Sequence, residues 1–129
     1  MADINDSVNA FTNTADSTSQ FSQDDIKNNM VVCIFAYISW LVIIPILAAP
    51  NSKYARFHSN QGLILAILEI IFGAVFAVLG IIPFIGIVFS IIGGIFGLFF
   101  LILSIIGIVN VVNGKAKDIP ILGKIRILK

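Results

Sequence analysis

The longest uncharged stretch of the chain restricts its possible folds more than any other feature of the sequence. Residues 70–114 contain no Asp, Glu, Lys or Arg. As one α-helix, these 45 residues would extend over about 67 Å, whereas the hydrocarbon core of a bilayer is about 30 Å thick. The stretch must therefore turn back on itself. A soluble protein would need a large polar shell around it, but charged residues make up only 12% of this sequence, against about 25% in soluble domains.

Apolar segments of sufficient length predict an all-α integral membrane protein with three transmembrane helices. The predicted helices cover about residues 30–49, 62–80 and 87–112. Pro45 is expected to kink the first helix, and Pro50 to end it. Pro83, which has a glycine on either side within three residues, separates the second helix from the third. Asn113-Gly114 closes the third helix, with Gly114 as its C-terminal cap.

Composition divides the chain into two predicted regions. Residues 1–27 are rich in Ser, Thr, Asn, Gln and Asp, which predicts a disordered polar tail. Residues 28–129 form the predicted three-helix membrane domain, and its last part, 113–129, is a basic tail. This tail alternates basic and apolar residues around Pro120 and Gly123. It is expected either to lie along the membrane surface or to dock beneath the helices.

Basic residues are distributed unevenly between the two sides of the predicted three-helix arrangement. With three crossings, the segment 50–61 and the C-terminal tail share one side, and the other side has only Lys27. The positive-inside rule therefore predicts an external N-terminus and a cytoplasmic C-terminus in a multi-pass protein of the cell membrane. The basic residues of the first side are Lys53, Arg56, Lys115, Lys117, Lys124, Arg126 and Lys129. The first six of them are also expected to contact anionic lipid headgroups.

A polar stripe occupies one face of the second predicted helix. At 100° per residue, His58, Gln61 and Glu69 point in nearly the same direction. Such a stripe is typical either of a protonatable or polar-ligand site inside the membrane or of a hydrogen-bonded clasp between helices. The candidate partners of the Glu69 carboxyl are Tyr37, Ser104 and Asn110.

Neither the lone histidine nor the lone cysteine indicates catalysis or a cofactor. His58 lacks a nucleophile at a recognisable spacing, so an interfacial or helix-capping role is favoured over catalysis. Cys33 lies in an apolar stretch without a second thiol, and we expect it to fill space in the core. The sequence therefore predicts a protein that is not an enzyme and has no metal site and no cofactor.

Small residues recur every four positions on the second and third predicted helices. This spacing allows helix backbones to approach closely, either within the chain or between two copies of it. The candidate packing residues are Gly73, Ala77, Gly86, Ser90, Gly93, Gly94 and Gly97.

Three short motifs resemble a group of small prokaryotic membrane proteins. The motifs are a proline turn after the first predicted helix, Arg56-Phe57-His58 with Gln61-Gly62 at the start of the second, and Gly114-Lys115 followed by Ile119-Pro120-Ile121-Leu122-Gly123. Together they resemble proteins grouped with the Tic-type chloroplast import component, a group that includes the magnetosome proteins MamF and MmsF. The resemblance implies a multi-helix membrane fold with His58 and Gln61 as signature polar residues. It assigns no chemical role to either.

Two functional hypotheses follow from these features. The first is a non-enzymatic membrane scaffold or accessory subunit, whose partners are membrane lipids and either other membrane proteins or a second copy of the chain. The second is an oligomeric ion or small-solute pathway lined by His58, Gln61 and Glu69. No nucleic-acid partner is expected in either case.

Overall fold

A computed structural model describes residues 2–122 and 124–128, and in that part of the chain it is all-helical, without a β-strand. Gly123 and Lys129, to which the sequence analysis gives roles, lie outside the described residues. Short 3₁₀ turns cover Thr18–Gln20, Phe35–Tyr37 and Ser39–Val42. The α-helices are α1 (Ala2–Thr12), α2 (Gln23–Ile34), α3 (Ile43–Ala48), α4 (Lys53–Gly80) and α5 (Ile85–Val112).

The α4–α5 pair confirms the second and third predicted apolar helices. Each has 28 residues and is long and apolar enough to cross a membrane. The Ser52 side chain caps α4 by accepting a hydrogen bond from the Ala55 N–H. Gly114 takes a left-handed conformation with φ 69°, and its N–H and that of Lys115 bond back to carbonyls of the last turn of α5, as predicted for a C-terminal cap.

The first predicted span is not a continuous helix, and this prediction is corrected by the structure. Ile38 leaves the helical region with ψ 70°, and Ser39 takes a left-handed φ of 46°, a conformation that costs a residue with a side chain about 1–2 kcal/mol. Pro45 falls in the first turn of α3, where its missing N–H has no helical partner to lose, rather than kinking a long helix.

Residues 23–49 form a hairpin that starts and ends at the same end of α4. At its start, the Asp25 carboxylate accepts hydrogen bonds from the Ser52 hydroxyl and from the Tyr54 N–H. Its last residue is three positions before Ser52. Its turn reaches further along α4, where Ser39 and Glu69 line the same cavity. We call this segment the 23–49 hairpin.

The N-terminal segment pairs with the C-terminal tail, where a disordered tail is predicted. The Ser17 N–H donates to the Ala116 carbonyl at 2.8 Å, and the Asp118 N–H donates to the Ala15 carbonyl at 2.9 Å. Asp16 and Lys117 form an isolated antiparallel bridge. The two segments therefore lie at one end of the helix pair, so the predicted arrangement with termini on opposite sides of a membrane is not confirmed.

Burial is concentrated at this end of the molecule, which we call the polar end. Tyr54, Leu65, Leu103 and Val111 are almost completely buried there by the hairpin and the tail. Toward the opposite end, α4 and α5 leave large apolar side chains exposed, and the connecting Phe84 is 92% exposed. The polar end thus has a protein core, whereas the rest of the helix pair has an apolar outer surface.

Candidate functional site

A buried hydrogen-bonded cluster lies at the polar end, centred on the histidine of α4. The His58 Nε2 atom is 3.0 Å from the Lys115 carbonyl, which can only accept, so this nitrogen carries the proton. In a neutral ring the Nδ1 atom is then an acceptor, and the Tyr37 hydroxyl donates to it at 2.5 Å. The Tyr37 oxygen in turn accepts from the Gln61 amide at 2.9 Å. These contacts assign the direction of each bond.

Gln61 and Asn60 hold the backbone of the C-terminal tail. The Gln61 amide donates to the Lys117 carbonyl at 3.2 Å, and its oxygen accepts from the Ile119 N–H. The Asn60 amide donates to the Leu128 carbonyl at 3.1 Å, and its oxygen accepts from the N–H groups of residues 127 and 128. We call the side chains of Tyr37, His58, Asn60 and Gln61 the tail clamp. The clamp shows that the tail docks on the helices.

Aromatic rings enclose the clamp histidine. Tyr54, Phe57 and Tyr37 each contact the His58 ring edge-on, with centroids 4.7–5.5 Å apart. The Tyr54 hydroxyl also donates to the Lys115 carbonyl at 3.1 Å. Sequence reasoning missed Tyr54 and Asn60. The spacing of Tyr54 and His58, one helical turn, is the signal that would have found the tyrosine.

Glu69 lies apart from the clamp, although the sequence places it on the same stripe. It is half-buried, and eight residues of α4 separate it from Gln61, about 12 Å along the axis. Of its predicted partners, Ser104 donates to Glu69 Oε1 at 3.5 Å. Tyr37 belongs to the clamp, and Asn110 donates to the Lys117 carbonyl at 3.5 Å. Ser39, which the sequence did not indicate, lines the same cavity as Glu69.

A groove of about 690 Å³ extends from Glu69 between α4 and α5. The polar side chains at one end of the groove are those of Ser39, Glu69 and Ser104, which lie beside the Tyr37 ring. The remaining wall of the groove is mostly apolar and includes four aromatic rings, which stack or tilt against one another with centroids 5.0–6.2 Å apart. These rings belong to Phe72, Phe76, Phe96 and Phe100.

The predicted packing glycines differ in how closely they approach the neighbouring helix. Gly86 and Gly93 face α4, since an added Cβ would overlap the Gly80 carbonyl or press on the Phe76 ring. Gly73, Gly94 and Gly97 have open space around them. Of the seven predicted residues, five line the groove: Gly73, Ala77, Ser90, Gly93 and Gly97.

The tightest helix contacts involve two other glycines. A Cβ on Gly62 would overlap the Ala36 backbone, and one on Gly107 would overlap the Tyr37 ring. The sequence did not indicate these two, because their contacts are with the 23–49 hairpin rather than with the neighbouring long helix.

Two of the predicted headgroup-binding residues have protein partners. Arg126 forms an ion pair with Asp118 at 2.8 Å and lies over the Phe57 ring. Arg56 donates to the Pro50 carbonyl at 3.2 Å. The side chains of Lys53, Lys115 and Lys124 are exposed, so their contact with headgroups stays a prediction, as does that of Lys117.

Cys33 is completely buried as a free thiol in α2. Within residues 2–122 and 124–128, His, Cys, Asp and Glu side chains do not gather in groups of three or more that could hold a metal ion.

No family model matches the chain, and comparisons with curated proteins and with solved structures give no significant match. The resemblance to the Tic-type group therefore stays a prediction.

Proposed function

We propose that this protein is a non-enzymatic scaffold or accessory subunit anchored in the cell membrane by the α4–α5 pair. The observation that carries the proposal is the division of the molecule between an enclosed polar end and an exposed apolar helix pair. Val78 and Ile87, for example, are 66% and 69% exposed. Contact of this apolar surface with water would be unfavourable, whereas contact with the hydrocarbon chains of lipid removes the surface from water.

In the proposed membrane arrangement, α4 and α5 cross the bilayer and the 23–49 hairpin enters and leaves it on one side. This replaces the predicted first crossing and gives two full crossings. It places both termini with the segment 50–61 on one side, together with all eight basic residues. The connection at 81–84, without a charge, lies on the other side. The positive-inside rule makes the polar end cytoplasmic.

Labelling of single cysteines from outside intact cells tests this arrangement. The background is Cys33→Ser, and the positions are Asn13→Cys, Lys124→Cys and Phe84→Cys. A membrane-impermeant maleimide should label only the Phe84→Cys protein. Labelling of Asn13→Cys from outside would restore the three-crossing arrangement, since the two arrangements differ only in the side of the N-terminal segment.

The tail clamp supports a structural role over a solute pathway. Two of the three residues of the predicted polar stripe, His58 and Gln61, use their side-chain polar atoms on the tail and on Tyr37. A conducting pathway needs polar groups that exchange partners with the solute, and of the stripe only Glu69 lies beside open space. The clamp also gathers no acid, base and nucleophile around a common reaction point.

Cross-linking and purification from native membranes in mild detergent test the scaffold role. The expected result is a defined set of co-purifying membrane proteins that is retained in the Glu69→Gln variant and lost in a Gln61→Ala variant, whose undocked tail alters the polar end. A chain that purifies alone and carries ion or solute flux in liposomes, abolished by Glu69→Gln, would contradict the proposal and support the pathway hypothesis.

A further inference from the structure

The groove at Glu69 has the chemistry of a ligand site, and it is independent of the scaffold role. We propose that it binds a single-chain hydrophobic amine. The ammonium group meets the Glu69 carboxylate, and the apolar chain lies between α4 and α5 along the phenylalanine rings.

The charge balance of the groove favours a cationic head. A carboxylate has about four acceptor positions; the Ser104 hydroxyl donates to Glu69 at 3.5 Å, and the Ser39 hydroxyl lines the same end of the groove. None of the described residues that line the groove is Lys, Arg or His. A negative charge at this depth of a bilayer is costly without a partner of opposite charge, and an ammonium group supplies three N–H donors together with that charge.

The size of the groove favours one chain over a helix. Its volume of about 690 Å³ lies within the range of about 300–1,000 Å³ that is usual for small-molecule sites. Between Ser90 and Ser104, α5 advances about 21 Å, and a helix about 10 Å wide would fill roughly 1,600 Å³ over that length. The groove therefore accepts an alkyl chain or a ring system but not the helix of a second copy.

An amine-headed phospholipid fits the groove less well than a free hydrophobic amine. Its phosphate would lie next to the ammonium group and therefore close to the Glu69 carboxylate. Since the described lining has no basic side chain to pair with that phosphate, the two negative groups would repel each other.

Two glycines of α5 offer a matched pair of variants for the test. Both Gly94 and Gly97 have open space at the Cβ position, but only Gly97 lines the groove. Gly97→Leu therefore fills the groove without a backbone clash, and Gly94→Leu adds the same side chain outside it. Glu69→Gln removes the charge and keeps the shape.

The experiment measures retention of radiolabelled dodecylamine by the immobilised full-length chain in a nonionic detergent. We expect saturable binding of one amine per chain, displaced by unlabelled dodecylamine but not by dodecanoate, dodecanol or phosphatidylethanolamine. Glu69→Gln should weaken binding at least about tenfold, as expected for loss of a charge-assisted contact. Gly97→Leu should abolish binding, and Gly94→Leu should leave it unchanged. Size-exclusion profiles and circular dichroism check that each variant is folded.

Three results would overturn the proposal. Equal retention by wild type, Glu69→Gln and Gly97→Leu would show partition into detergent only. Full displacement by phosphatidylethanolamine would assign the groove to a lipid. Absence of amine binding, with a cross-linked dimer that Gly97→Leu disrupts and Gly94→Leu does not, would make the groove an interface between copies. Amine binding is measured on the purified chain in detergent, and the scaffold role is measured by co-purification from membranes. Either result can therefore be negative while the other is positive.

Discussion

The tail clamp and the groove both contain polar side chains of α4, but they differ in how these side chains are hydrogen-bonded. In the clamp, His58, Asn60 and Gln61 each bond to the backbone of the C-terminal tail. In the groove, Glu69 accepts one hydrogen bond, from Ser104 at 3.5 Å, beside an open volume. A polar residue in an apolar chain is therefore not by itself a sign of function. What distinguishes the two regions is whether the protein satisfies the group internally.

The largest effect is expected where the hairpin meets the clamp. Gly62→Leu should destabilise the protein by about 3 kcal/mol or more, because its Cβ would overlap the Ala36 backbone, which cannot rotate away. The displaced hairpin should expose Cys33, so the rate of maleimide labelling in detergent should rise. Gly94→Leu, which has open space, serves as the control. Unchanged Cys33 reactivity in Gly62→Leu would contradict the close packing of hairpin and α4.

A second expected effect concerns the clamp itself. Gln61→Ala removes the partner of the Ile119 N–H and one donor to the Lys117 carbonyl. Each buried polar group left unpaired costs about 1–3 kcal/mol, so we expect a loss of about 2–4 kcal/mol in thermal unfolding and faster tryptic cleavage after Lys117. The neighbouring Ser59 is buried, and its hydroxyl has no hydrogen-bond partner among the described residues. Ser59→Ala should be neutral or slightly stabilising, and equal losses in both variants would refute the clamp.

A smaller effect is expected in the groove. Glu69→Gln keeps an oxygen that accepts from Ser104, and the residue is only half-buried. We therefore expect its stability to change by less than about 1 kcal/mol, measured by thermal unfolding beside Gln61→Ala. A loss as large as that of Gln61→Ala would make Glu69 a second structural clasp and would remove the contrast between the two regions.

The smallest expected effect depends on pH and lies at the junction of the two termini. Hydrogen bonds from the Thr18 side chain and backbone lower the pKa of Asp16 below its ordinary value. Ionised Asp16 therefore stabilises the folded junction at pH values above about 4, and this contribution is lost as the pH falls through the lowered pKa. Amide exchange at Ser17 and Asp118 should accelerate in acid more than the intrinsic rate predicts. In Asp16→Asn that additional acceleration should be absent.

Hydropathy was sufficient to predict the α4–α5 pair. In a long apolar segment placed in lipid, the backbone N–H and C=O groups find their hydrogen-bond partners within a helix. Hydropathy failed for the segment 30–49. Average hydropathy does not register that the Tyr37 hydroxyl bonds to His58 and Gln61 of α4 just before the helix is interrupted at Ile38 and Ser39. The predicted side of the N-terminus was inferred by alternating three crossings, so it depends on the first predicted span, which the structure does not form as a continuous helix.

Helical spacing identified His58 and Gln61 of α4 but not the groups to which they bond. His58 and Gln61 bond largely to main-chain groups of residues 115–119, and a main-chain carbonyl has no signature in a sequence. Periodicity also grouped Glu69 with them. It gives the direction in which a side chain points from the helix axis, but it does not show which residues pack against the helix at each position along that axis.

The placement of both tails with the polar end has a consequence for biogenesis. In the proposed arrangement the only segment transferred to the far side of the bilayer is the connection at residues 81–84, which carries no charge. Insertion then requires no transport of a hydrophilic segment, so the two helices can partition into the bilayer together, as one unit. We therefore expect integration to proceed without the membrane potential that helps to transfer charged extensions.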